Sequence, residues 1–230
     1  MINSLRKNLQ YLLFKLVFSL LIFVGLTSIA ANKFQTLQQT ALNRYGQQTL
    51  SHLQQWISLI ENFRASSENE KLHATNDYFN HQIRFTDDVA VWNKEDYWAT
   101  PLETISKLQG DCEDFSLAKY VTLLLLGIPE DRIRLIYVQA SLSSSANRAP
   151  VAHMVLAYYP TPNAEPLVLD NLVPQIQLAS KRPDLTPVFS FNASSLWVSG
   201  QQNRYSDSQS RLSKWQDVLN RIKNEGFFDE

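Results

Sequence analysis

The sequence predicts an α+β domain, on three observations. Apolar residues recur at helical spacing through the first half, apolar and polar residues alternate through much of the second, and one helix between them is apolar nearly all round. With 230 residues, 44% of them hydrophobic, the chain holds one domain with a substantial core and is too short for two large ones. That domain is expected over residues 31–230, with a helical part at about 34–127, a sheet part at about 131–200 and a C-terminal helix at about 208–224.

Residues 1–30 stand apart. Arg6 and Lys7 precede an apolar run over 12–31, broken by Lys15 and small polar residues, and the run closes on Ser28, Ile29 and Ala30. This is the pattern of a secretory signal peptide cut after Ala30; an uncleaved membrane anchor is the rival reading. Losing this segment removes three of 21 basic residues and none of the 22 acidic ones, so the remaining chain is mildly acidic. No basic run or interleaving of basic and aromatic residues remains, which argues against a nucleic-acid partner.

From 34 to 63 the pattern is one amphipathic helix, with Leu50, Leu53, Ile57 and Ile60 on its core face. A second helix is expected over 68–82, and 85–98 carries too many Asp and Asn residues for an assignment. His52, His73 and His81 fall in this half beside no recognisable partner and read as surface or capping residues. Thr100, Pro101 and Glu103 form a helix start with a capping box, and Gly110 is expected to end that short helix in a left-handed cap. Asp111 then caps a helix that opens at Cys112, runs through Leu126 and stops at Gly127. Strands are expected at 133–138, 151–158, 167–170, 187–191 and 196–198, ordered as an antiparallel sheet, with a Ser-rich loop at 141–149. The last helix carries Leu212, Trp215, Leu219 and Ile222 on one stripe.

Cys112 is the only cysteine, so no disulfide forms within the chain. It is either a buried small hydrophobe or a nucleophile. A helix N-terminus favours the second reading, because the helix dipole and the free N–H groups of the first turn stabilise a thiolate. His153 is the one histidine on an expected strand, and Asp170 ends the next strand. Across an antiparallel pair the carboxylate can orient the imidazole towards the thiol. A hydrogen-bonded core histidine and a turn at Asp170 and Asn171 remain open on position alone. Asp111, Glu113 and Asp114 crowd the same turn and oppose thiolate formation by like charge. Helix capping explains two of them, and a hard cation such as Ca²⁺ would explain all three. The backbone N–H of Cys112 is a natural oxyanion donor, with Gln109, Trp98 or Trp92 as candidates for a second. There is no GxSxG elbow, phosphate-binding glycine loop, HExxH or paired-cysteine signature.

The run Gly110-Asp111-Cys112-Glu113-Asp114-Phe115-Ser116, with Val151-Ala152-His153-Met154-Val155 and Leu169-Asp170-Asn171, resembles the bacterial transglutaminase-like cysteine proteinases, and within them the LapG-type periplasmic proteases. The resemblance spans roughly 92–197 and implies a papain-like or transglutaminase-like fold, with the nucleophile helix packed on the antiparallel sheet. It further implies a triad of Cys112, His153 and Asp170, and a Ca²⁺ cofactor whose acidic ligands match Asp111 and Glu113, with Asp114 as a third. The implied activity is endoproteolysis of a large RTX-type surface adhesin near its N-terminus, at a pair of alanines, which frees the adhesin and disperses biofilm cells. A LapD-type cyclic di-GMP receptor of the inner membrane is the implied inhibitory partner, and the periplasm the implied location. The alternatives are an acyl transferase of transglutaminase or amidase type using the same triad, and a non-catalytic periplasmic binding module.

Overall fold

The computed structural model describes residues 34–141, 149–198 and 213–228. The segment at 1–30, residues 142–148 of the Ser-rich loop and residues 208–212 of the last expected helix lie outside them. Among the described residues no helix is long and apolar enough to cross a membrane.

Helices α1 (Gln35–Tyr45) and α2 (Gln47–Phe63) replace the single helix expected over 34–63. Gly46 divides them at φ 85°, a left-handed value that glycine adopts without steric cost, and its N–H closes α1 on the Leu42 carbonyl at 3.0 Å. Helix α3 (Glu68–Gln82) keeps the expected bounds and starts with a capping box between Ser67 and Glu70. The unassigned stretch holds a two-residue strand β1 (Arg84–Phe85) and a short helix α4 (Asp88–Trp92).

Helix α5 (Pro101–Lys107) has the expected capping box at Thr100 and Glu103, but Gly110 does not end it. Leu108 takes the left-handed cap at φ 49°, its N–H bonding Thr104 at 2.8 Å. Gly110 instead lies in strand β2 (Gln109–Gly110), parallel to β1, where an added Cβ would stand 2.6 Å from Oδ2 of Asp114. The glycine makes room for a carboxylate folding back from the next helix, a long-range demand that local cap signals do not register.

That helix, α6 (Cys112–Leu125), is the centre of the molecule. Every residue from 114 to 123 is buried, with α3 and α5 on one side and the sheet on the other. Fully buried leucines such as Leu117 and Leu123 each contribute roughly 2 kcal/mol. Trp56 of α2 donates its indole N–H to Thr122 at 2.8 Å, tying the N-terminal helices to α6.

The sheet is antiparallel, in the order β6 (Gln177–Leu178), β5 (Leu167–Leu169), β4 (Val151–Tyr158), β3 (Ile133–Ala140), β7 (Leu185–Phe191), β8 (Leu196–Val198). Of these, β6 was not expected from sequence, since two residues give no alternation to read. The C-terminal helix α7 (Ser213–Glu225) sets Trp215 against Tyr120 and Phe191, with ring centroids 5.7 and 5.2 Å apart. Helices and antiparallel sheet share one core, the α+β class expected.

Candidate active site and acidic cluster

Strand β4 pairs with β3 along its whole length, but with β5 only from Leu156 to Tyr158. Beyond the end of β5, the first turns of α6 take β5's place beside β4. Ser116 donates its hydroxyl to the Met154 carbonyl at 3.1 Å, and the Cys112 sulfur lies against the Met154 backbone amide. Cys112 is thus held, half-buried, next to the residue that follows His153. Its thiol donates to Oε2 of Glu113 at 2.8 Å, not to the imidazole. Burial pushes the thiol pKa far up, and the charge and hydrogen bond of Glu113 and the charge of Asp111 add to the rise. The Met154 amide opposes them and is outweighed.

His153 and Asp170 are in direct contact, with Nε2 2.8 Å from Oδ1, and both are buried. Three further partners hold the aspartate. The N–H of Leu172 reaches Oδ1 at 3.0 Å, Nη2 of Arg182 reaches Oδ2 at 2.8 Å, and Asn80 of α3 donates to the Asp170 carbonyl at 2.8 Å. Burial alone would raise the carboxyl pKa. The hydrogen bond and charge of His153, with the Leu172 and Arg182 bonds, overcome that and bring it down to about 2. Asp170 is therefore a fixed anion, and Nδ1 is the imidazole nitrogen left for a thiol.

Of the acids around Cys112, Asp114 lies against the backbone N–H of Asp111 at the start of α6. Asp111 sits at the N-cap position of α6, yet its side chain makes no capping bond. Asp114, 0% exposed, spends one oxygen on the Ala99 N–H at 2.7 Å. Parallel pairing of β1 with β2 carries α4 alongside and adds Asp88, whose Oδ2 accepts from the Tyr97 N–H. Asp88, Asp111 and Asp114 each place an oxygen within 4.8 Å of the others, and Asp111, Cys112 and Glu113 form a second such group. Among the described residues, buried Oδ1 of Asp88, Oδ1 of Asp111 and Oδ2 of Asp114 find no hydrogen-bond partner.

Burial is the largest cause pushing all three carboxyls up, Asp111 to about 9 and Asp114 well above the carboxylate range, with mutual repulsion adding to it. Three orphaned, buried, oxygen-only acceptors suit a hard divalent cation such as Ca²⁺ and offer nothing to a thiophilic metal. Asp111, Glu113 and Asp114 were expected together as ligands; the structure sets Glu113 with Asp111 and Cys112, and Asp114 with Asp111 and Asp88. Asp88 was missed, because its approach depends on a two-residue parallel pairing; a pair of acids opening a short helix was the only local signal.

Trp98 gives its indole N–H to Asp96 at 3.0 Å and is not free for an oxyanion. The Trp92 indole N–H is buried without a partner, and Gln109 is half-buried in β2.

The model of the family described as bacterial transglutaminase-like cysteine proteinase BTLCP matches residues 34–204. Among solved structures, LapG of Legionella pneumophila is similar in an EGTA-treated form, with 38% identity over 83% of this chain and 97% of that one and a TM-score of 0.71. It is similar also in a calcium-bound form, with 38% identity over 83% and 99% and a TM-score of 0.68. A comparison with curated proteins gives no match.

Proposed function

The chain belongs to the bacterial transglutaminase-like cysteine proteinases and has the LapG-type fold, and from that we propose that it is an exported, calcium-dependent endopeptidase with Cys112, His153 and Asp170 as its triad. Its substrate is the N-terminal region of a large RTX-type surface adhesin, cut at a pair of alanines so that the adhesin leaves the outer membrane and biofilm cells disperse. The enzyme works in the periplasm, freed from or anchored by its first thirty residues, and a LapD-type receptor of the inner membrane restrains it when cyclic di-GMP is high.

The observation that carries the catalytic reading is the placement of the sole cysteine at the first turn of a buried helix, against the strand whose His153 is already bonded to Asp170. Nδ1 of His153 takes the thiol proton. The thiolate attacks the scissile carbonyl carbon, whose electron pair moves to oxygen and meets the Cys112 N–H. The imidazolium, stabilised by Asp170, returns its proton to the leaving amine as the C–N bond breaks and a thioester forms. A water, deprotonated by His153, then attacks the thioester and releases acid product and thiol.

Asp88, Asp111 and Asp114 would hold the calcium, with Glu113 at hand beside Asp111. A cation held there would offset the charge of Glu113 and Asp111, which after burial is the next cause keeping Cys112 protonated. Glu113 is the local restraint, since the thiol is a donor to it and must give up that bond to react.

The test is incubation of the purified protein with an N-terminal adhesin fragment carrying the double-alanine site. Cleavage should need calcium, stop with EGTA and be absent in Cys112→Ala. Cleavage indifferent to both, or incorporation of a labelled amine without chain cleavage, overturns the proposal.

A further inference from the structure

Asp170 divides its two oxygens. Oδ1 faces the His153 imidazole and the Leu172 N–H, while Oδ2 faces Nη2 of Arg182. Arg182, 5% exposed, is gripped in turn by Asp184, whose Oδ1 accepts from Nε at 2.9 Å and Oδ2 from Nη2 at 2.7 Å. The backbone fixes this pair as well. The Arg182 N–H bonds Ala179 at 3.0 Å, the Leu185 N–H bonds Arg182 at 3.1 Å, and the Ser141 N–H, at the end of β3, bonds Asp184 at 2.9 Å. A long side chain pinned at both ends and buried has lost the freedom of a surface arginine.

A lone cation here would orient the carboxylate but cancel its field. Asp170 stabilises an imidazolium only while the charge on its far side is balanced, because buried ions act in a medium that screens them poorly. Asp170, Arg182 and Asp184 together carry one net negative charge, which a protonated His153 neutralises. Among the described residues, the other charged groups facing this region are Lys119 of α6, buried and bonded to Asn76 at 2.8 Å, and Asp77 of α3; Cys112 and Glu113 lie on the thiol side.

Resting on the triad proposed above, the geometry points to Arg182 as a positioning residue that locks the Asp170 carboxylate with Oδ1 towards His153, and to Asp184 as the counter-charge that balances Arg182. The two residues have opposite electrostatic effects on His153, whereas a packing role gives them the same one.

The test uses the full protein saturated with calcium, in wild type, Arg182→Met and Asp184→Asn. The His153 imidazole is titrated by NMR, its resonance assigned by its loss in His153→Ala. The titration midpoint should rise in Arg182→Met, which removes a positive neighbour, and fall in Asp184→Asn, which removes a negative one. The Asp184 shift should be the smaller, since its side chain is 34% exposed and screened. On the adhesin fragment, kcat of Arg182→Met should drop about 10- to 100-fold with KM little changed. Midpoints that move together, or do not move, overturn the inference. If Arg182→Met does not fold, Asp184→Asn decides: a lowered midpoint supports it and an unchanged one overturns it. A wild type that fails to cut the fragment counts against the proposed function and leaves the opposed shifts readable, so the two failures are told apart.

Discussion

Cys112 donates a hydrogen bond to Glu113 and stands one residue from Asp111, in surroundings that oppose a thiolate by burial first and by charge second. The helix dipole that singles it out in the sequence does not offset those terms alone. Beside it stand Asp88, Asp111 and Asp114, each with one buried oxygen that no described residue hydrogen-bonds. Replacing Asp88 with Asn keeps the shape and removes one charge. Calcium affinity, measured by calorimetry, should then fall about 10- to 100-fold. Relief of the repulsion should also raise the melting temperature of the metal-free protein. Unchanged affinity would show that Asp88 is not a ligand. At this scale the sequence made Cys112, Asp111 and Asp114 legible, because each is read from a helix start. The placement of Asp88 beside Asp111 and of Arg182 beside Asp170 was not, because it exists only after distant segments meet.

The elements that position these side chains are short or interrupted. Strands β1 and β2 have two residues each, yet their parallel pairing delivers Asp88 to Asp111. Capping boxes at Ser67 and Thr100 fixed helix starts that the sequence displays plainly, since they are local. Helix ends at Gly46 and Leu108 depended on left-handed backbone, and at Leu108 no glycine advertises it.

Helix α7 ends on Glu225, 1% exposed, with Arg44 of α1 at 3.6 Å. Burial raises its pKa to about 7, helped by Glu103 and opposed by Thr100, Arg44 and Arg221. The carboxyl ionises at lower pH in the unfolded chain than in the folded one. Stability is therefore lost as pH rises from about 4.5 to 7, by about 3 kcal/mol once complete. Glu225→Gln should match wild type in urea unfolding at pH 4.5 and exceed it at pH 8. Equal stability at both would mean that the carboxylate is better solvated than its burial indicates.

As a whole the molecule is built around α6, which is buried from Asp114 to Leu123, fixed to the N-terminal helices through Trp56 and to β4 through Ser116. The class was legible because period changes from helix to strand are strong over long segments, and the strand positions followed from alternation. The order of the sheet's outer strands and the approach of α4 were not, since they depend on non-local pairing. The same architecture sets Cys112 and the acidic cluster at one helix end: Gly110 lets Asp114 turn back under β2 while Cys112 faces β4.

On the proposed function, Cys112 becomes an effective nucleophile when a cation answers the acids beside it. Because Cys112 is the only cysteine, its alkylation rate by iodoacetamide at pH 7 reports its thiolate directly. Saturating calcium should accelerate alkylation at least about tenfold over EGTA, the equivalent of one pKa unit. A rate that calcium leaves unchanged or slows would contradict the claim.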